Sequence, residues 1–116
     1  MTTPTLSVDW ERTISTSGAT RATAYMASNK IVSNGDIVFV TWLDTPGRAM
    51  IRAFASDGTP QGDAVLLNEG IDNHCGAALC VEQNGYLHAV CGSHSEVPFS
   101  HRVSREPWSW DNWWPA

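Results

Sequence analysis

The sequence predicts an all-β fold, and three observations carry that expectation. Helical periodicity is nearly absent along the 116 residues. Two Asn-Gly dipeptides, Asn34-Gly35 and Asn84-Gly85, each divide apolar, β-branched stretches in the way a tight hairpin turn does. The order of features around the first dipeptide recurs around the second, 50 residues later.

Taken in order, residues 1–23 read as an N-terminal lead-in strand. Residues 24–69 form a first unit, in which "DIVFVTWL" follows Asn34-Gly35 and Asp57-Gly58 separates "AMIRAFAS" from "DAVLLN". Residues 70–116 form a second unit, in which Asn84-Gly85 joins "AALCVEQ" to "YLHAVC". The one helical candidate is "ATRATAYMASN", whose threonines and missing apolar stripe make it poor. The 50-residue offset lays Ile31 on Val81, Ile37 on Leu87, Val40 on Val90 and Arg52 on Arg102. A repeat of ~40–50 residues with about four strands is the signature of a β-propeller blade. The expected fold is therefore antiparallel four-stranded blades of a β-propeller, about two in this chain; a β-sandwich with similar hairpins is the alternative. Since propellers take ~4–8 blades, two would be completed by homo-oligomerisation or by further blades of a longer chain. The tryptophan-rich ending "WDNWWPA" favours the longer chain.

Composition narrows the function. Net charge is −5, with seven Lys+Arg against twelve Asp+Glu, so a nucleic-acid partner is not expected. No apolar run approaches the ~20 residues of a membrane helix, so no membrane partner is expected either. "MTTPTLSVDW" lacks the basic and apolar regions of a signal peptide. Three cysteines at no zinc-ribbon spacing imply no disulfide framework.

All four histidines and all three cysteines fall between Gly70 and Arg102. If Asn84-Gly85 is a two-residue turn, Gln83 faces Tyr86, Val81 faces His88, Leu79 faces Val90 and Cys75 faces His94. His74 is then a diagonal neighbour of His94, and such neighbours lie ~5–8 Å apart. Two histidines meet at the open mouth of the hairpin. His88, on a face with Tyr86 and Val90, reads as a hydrogen-bonded core residue. Cys80 and Cys91 share a face with Leu87 and Ala89 and read as small buried hydrophobes. His101 alternates with Phe99 and Val103, leaving Arg102 on the opposite face with Ser100 and Ser104.

Asp72, His74, Gly85-Tyr86-Leu87-His88, His94, Pro98, Arg102 and Ser104-Arg105-Glu106-Pro107 stand in an order that resembles the BNR-repeat (bacterial neuraminidase repeat) β-propeller proteins of the kind that includes ulvan lyases. The upstream "TAYMASNKIVSNGDIVFVTWLD" looks like the preceding blade. The chain departs from the family pattern in three ways: His101 stands where tyrosine is usual, "SDGTPQGDA" is not a strict Asp-box, and the further blades that complete a family member's site are not in this chain.

The resemblance implies a carbohydrate-active propeller acting as a polysaccharide lyase, with a polysaccharide or oligosaccharide carrying uronate as its partner. Such enzymes remove the proton beside the uronate carboxylate and expel the 4-oxygen. The carboxylate must be neutralised, and the base should titrate near neutral pH, as histidine does. By resemblance His74 and His94 are the catalytic pair, and Asn73, Arg102 and His101 are substrate-binding candidates. A full-length relative is expected to be secreted or periplasmic. No cofactor and no metal are expected. Two rival readings stay open. One is a non-catalytic, lectin-like module assembled from two-blade chains, its tryptophans stacking on sugars. The other is a transition-metal site built from Asp72, His74, Cys75 and His94.

Overall fold

The computed structural model describes residues 2–25, 28–92, 94–95 and 98–116. Seven strands form two antiparallel meanders: β1 (Ile31–Ser33), β2 (Ile37–Asp44), β3 (Arg48–Ala55) and β4 (Val65–Glu69) in the first sheet, β5 (Ala77–Val81), β6 (Leu87–Cys91) and β7 (Ser100–Val103) in the second. The fold is all-β, with no helix among the described residues, and neither sheet closes on itself. The weak helical candidate at 19–29 is instead a turn at residues 20–23; Met26 and Ala27 lie outside the described residues. Its threonines favour local turns over a helix, and no apolar stripe rewards one.

Strand alternation explains how the sheets meet. Phe39, Leu43, Ala49, Ile51 and Ala53 point from one face of the first sheet, and Ala77, Leu79, Leu87, Ala89 and Cys91 from one face of the second; together with Leu67 and Trp113 they form a single core. Phe39, Ile51 and Leu87 are fully buried, each contributing ~1.5–3 kcal/mol by leaving water. The other face of the first sheet is covered by the N-terminal segment. Trp10, Arg12 and Ile14 lie against Val38, Val40 and Phe54, and the Ser15 hydroxyl donates to Asp44 Oδ1 at 2.5 Å. Beyond the end of β1, residues 17–22 take the free edge of β2: Ala19 donates to the Leu43 carbonyl, Leu43 to that of Ala22, and Thr45 to that of Ser17. This strap ends beside the histidine loop.

The β5–β6 register differs from the expected one by a single residue. Val81 pairs with Leu87, Cys80 with His88 and Ala77 with Cys91. The Glu82 amide donates to the Tyr86 carbonyl and the Gly85 amide to that of Glu82, so the loop holds three residues, with Gly85 at φ 93°. Asn-Gly serves a two-residue turn, but it serves equally a type I turn closed by a left-handed glycine. Because side chains alternate, one residue of slip exchanges faces. Cys80 is exposed rather than core, and His88 is half-buried on the outer face, while Cys91 is buried as expected. The slip also removes Cys75 from the position opposite His94. Continued past Gly76 and Gly92, which bond across the strands at 2.9 Å, the observed register sets His74 opposite His94.

The 50-residue offset brings Ile37 and Leu87 to the starts of β2 and β6. It superposes Arg52 and Arg102 only in sequence. Arg52 pairs with Val40 on the face covered by the N-terminal segment, whereas Arg102 pairs with Ala89 on the face turned towards the first sheet. Three tryptophans sit over turn glycines, Trp10 on Gly58, Trp108 on Gly85 and Trp110 on Gly62; a Cβ would collide with the indole ring at Gly58 and Gly85 and crowd it at Gly62.

Candidate functional site

The loop from Gly70 to Gly76 carries the site, and Gly47 lets it sit where it does. A Cβ on Gly47 would stand 2.8 Å from both the amide nitrogen and the carbonyl oxygen of Asp72, and the Gly47 carbonyl accepts from the Gly70 amide at 2.8 Å. The turn between β2 and β3 is thereby seated on the backbone of Asp72. The Asn73 amide donates to Thr20 Oγ1 at 2.8 Å, fastening the loop to the strap.

Asp72 is the centre of the cluster. Oδ1 accepts from the His74 backbone amide at 2.8 Å and lies 3.2 Å from His74 Nδ1, while Oδ2 accepts from His94 Nδ1. These bonds favour the ionised form. The His74 amide acts most strongly, then the His94 side chain, and together they lower the Asp72 pKa to about 2. The imidazole rings of His74 and His94 are 4.0 Å apart, centre to centre.

Two residues that sequence reasoning missed complete the cluster. Arg21 Nη1 lies 2.6 Å from His74 Nε2 and 2.8 Å from the Tyr25 hydroxyl. Their strap is about 50 residues from the histidine loop in sequence, with no strand pattern to place it; the Arg21/Tyr25 spacing within "RATAY" was the only signal. Tyr25 and Ser95 both have left-handed backbones, at φ 72° and 56°. Non-glycine residues held there cost ~1–3 kcal/mol each and concentrate at functional sites.

Donor and acceptor chemistry assigns the protons. A guanidinium only donates, so His74 Nε2 accepts, and neutral His74 carries its proton on Nδ1, facing Asp72. The ionised Asp72 only accepts, so His94 Nδ1 also carries a proton, and the lone pair of neutral His94 is on Nε2. Among the described residues His94 Nε2 has no hydrogen-bond partner. The carboxylate thus orients an imidazole whose far nitrogen is ready to take a proton, the arrangement of a general base.

Ligand atoms of Asp72, His74 and His94 also lie within 4.8 Å of one another, close enough for a metal. The Arg21 contact opposes that use. It keeps the proton on the nitrogen that faces Asp72, and it sets a fixed positive charge beside the cluster. Cys75 is buried, with its sulfur 3.8 Å from Asp72 Oδ1, and stands outside the ligand group.

The two histidines open onto a groove of about 390 Å³ on the outer face of the second sheet. Tyr25, His74, His94 and Phe99 line it, together with Gly76 and Gly92, which bring no side chains into it. The remaining candidates lie elsewhere. Arg102 donates to the carbonyls of Leu67 and Trp114, tying the second sheet to the first, and does not line the groove. His101 is exposed on the outer face, where its Nε2 meets His88 Nδ1 at 3.0 Å.

No protein-family model matches the chain, and no curated protein matches it in sequence.

Proposed function

We propose that the chain is part of a carbohydrate-active β-propeller, its two sheets being blades, and that it cleaves a uronate-containing polysaccharide by β-elimination. The observation that carries this reading is the Asp72-held pair of imidazoles at the groove, with His94 Nε2 as the base and Arg21 beside it. His94 Nε2 takes the C5 proton next to the uronate carboxylate. The C5–H electron pair becomes the C4–C5 double bond as the C4–O bond breaks. Arg21 offsets the charge that develops on the carboxylate. The Tyr25 hydroxyl accepts from Arg21, so its own proton is free to pass to the departing oxygen.

The test is absorbance of the new double bond during digestion of a uronate polysaccharide by the complete propeller containing this segment. His94→Ala is expected to lower turnover ~10²–10⁴-fold, the usual range for a general base, and His74→Ala nearly as much. Full activity in both variants would refute the assignment. The exposed rings of Tyr25 and Phe99 favour a second reading, since aromatic walls stack on sugars without any chemistry. Retention of oligosaccharide by a wild-type protein that forms no unsaturated product would establish that lectin-like role instead.

A further inference from the structure

The second sheet has three strands where the first has four, and one of its two edges is already taken. Along β5 the Leu79 amide donates to the Asn29 carbonyl, and the carbonyls of Leu79 and Ala77 accept from Asn29 Nδ2 and Lys30 Nζ. The edge at β7 is different. The Ser104 amide donates inwards to the Leu87 carbonyl, so by alternation Arg102 and Ser100 also bond towards β6. Phe99, His101 and Val103 therefore turn their amides and carbonyls outwards. The Val103 carbonyl accepts from the Trp114 amide, but among the described residues nothing meets the outward groups of Phe99 and His101.

A strand without a sheet lies at the other end of the chain. Leu6, Val8 and Trp10 alternate with Ser7, Asp9 and Glu11, the period of a strand with one apolar face. Yet Leu6 is 96% exposed and Val8 75%, and residues 2–9 make no hydrogen bond among the described residues. Trp10 roots this arm, its Nε1 donating to the Ser56 carbonyl at 3.3 Å.

We infer that residues 5–8 of one copy add to the β7 edge of a second copy as an antiparallel fourth strand, independently of the function proposed above. Exposed sheet edges take extended segments in this way, main-chain bonds giving affinity and alternate side chains specificity. With Val8 opposite Phe99 and Leu6 opposite His101, both apolar side chains fall on the outer face beside Phe99 and Val90, which are exposed in the single chain. The outward amides and carbonyls of Phe99 and His101 then find partners. Pro4 would stand opposite Val103. It has no amide to give, and the carbonyl across from it already accepts from Trp114, so the added strand stops there. The arm's root decides whose edge is used. Trp10 lies with Val38, Val40 and Phe54 on the face of the first sheet turned away from the second. Val8, two residues on, reaches only ~7 Å from it, less than the ~10 Å between packed sheets.

The test is sedimentation of the full chain over a range of concentrations, with two variants that spoil opposite halves of the contact. Leu6→Asp/Val8→Asp removes the arm's apolar face and leaves the edge. His101→Pro leaves the arm and removes an outward amide that β7 does not use to hold β6, a position where an edge strand tolerates proline. Wild type is expected to form assemblies of two or more copies. Each variant alone should sediment as single chains with unchanged circular dichroism, and an equimolar mixture should give one-to-one complexes. In hydrogen exchange the His101 amide should be protected in wild type and exposed in Leu6→Asp/Val8→Asp, a readout that does not depend on the proline variant. Wild type that stays a single chain at every concentration, association undiminished in Leu6→Asp/Val8→Asp, folded variants that stay unpaired when mixed, or a His101 amide that exchanges equally fast with and without the arm's apolar face would each overturn the inference.

Discussion

Replacing Gly47 with alanine tests how the histidine loop is held in place. The added methyl would sit 2.8 Å from the Asp72 amide nitrogen and carbonyl oxygen and 2.9 Å from the Gly70 carbonyl carbon, where ordinary contact begins at about 3.4 Å. All three neighbours are backbone, so about 0.6 Å must come from movement of the loop or of the β2–β3 turn. The φ of Gly47 lies outside the left-handed region, so alanine brings no torsional strain and the effect is purely the close approach. Overpacking of this kind costs ~1–3 kcal/mol. At ~4 °C per kcal/mol for a domain of this size, the melting temperature should fall by ~4–12 °C. Gly76→Ala is the internal control. Its Cβ would meet only Lys30 Nζ, at 3.4 Å and at the end of a flexible side chain, so its effect should stay within ~0.5 kcal/mol. The assay is thermal unfolding followed by circular dichroism on both variants. Unchanged stability in Gly47→Ala, or a larger loss in Gly76→Ala, would refute the close-approach account. The same displacement moves the carboxylate that orients both imidazoles, and misplacement by ~1 Å can cost ~10²-fold in turnover.

Two further outcomes follow from ionisation and register. The Asp72 carboxyl is lowered to about 2 in the folded chain, so the stability it contributes is present in full above its ordinary range near 4 and is lost as pH falls towards 2. Urea midpoints for wild type and Asp72→Asn should therefore differ at pH 7 and converge between pH 4 and 2; a gap that stays constant over that interval would contradict the assignment. Cys80 is exposed while Cys75 and Cys91 are buried, and burial raises the Cys91 pKa further. Ellman's reagent should thus label one thiol per native chain and three after denaturation, and a native chain with no reactive thiol would restore the two-residue-turn register.

The all-β fold was legible because β-branched runs and Asn-Gly punctuation are local signals that need no tertiary information. The register was not, because Asn84-Gly85 fits two loop lengths and only packing chooses between them. The choice that buries Leu79, Leu87 and Cys91 against Phe39 and Ile51 also sends Cys80 and His88 to solvent. The meeting of His74 and His94 tolerated the error, because slipping one residue turned a diagonal pair into an opposed one. Arg21 and Tyr25 were out of reach for another reason. They arrive on an irregular segment whose path depends on the free edge of β2, and that edge exists only once β1 is known to begin at Ile31, opposite Val40.

The strap has a consequence for how the molecule comes apart. It is held by a few backbone bonds at one strand edge and by the Ser15–Asp44, Thr20–Asn73 and Arg21–His74 contacts, whereas the sheets are held by a shared apolar core. Segments with few buried contacts open at a free energy well below that of global unfolding. Release of residues 15–25 would carry Arg21 and Tyr25 away while Asp72 kept both imidazoles and the sheets stayed packed. His74 Nε2 would then be open to water. The guanidinium that meets His74 Nε2 is thus on a segment that can detach while the sheets stay packed, so fraying at a sheet edge and the exposure of an imidazole nitrogen become one equilibrium.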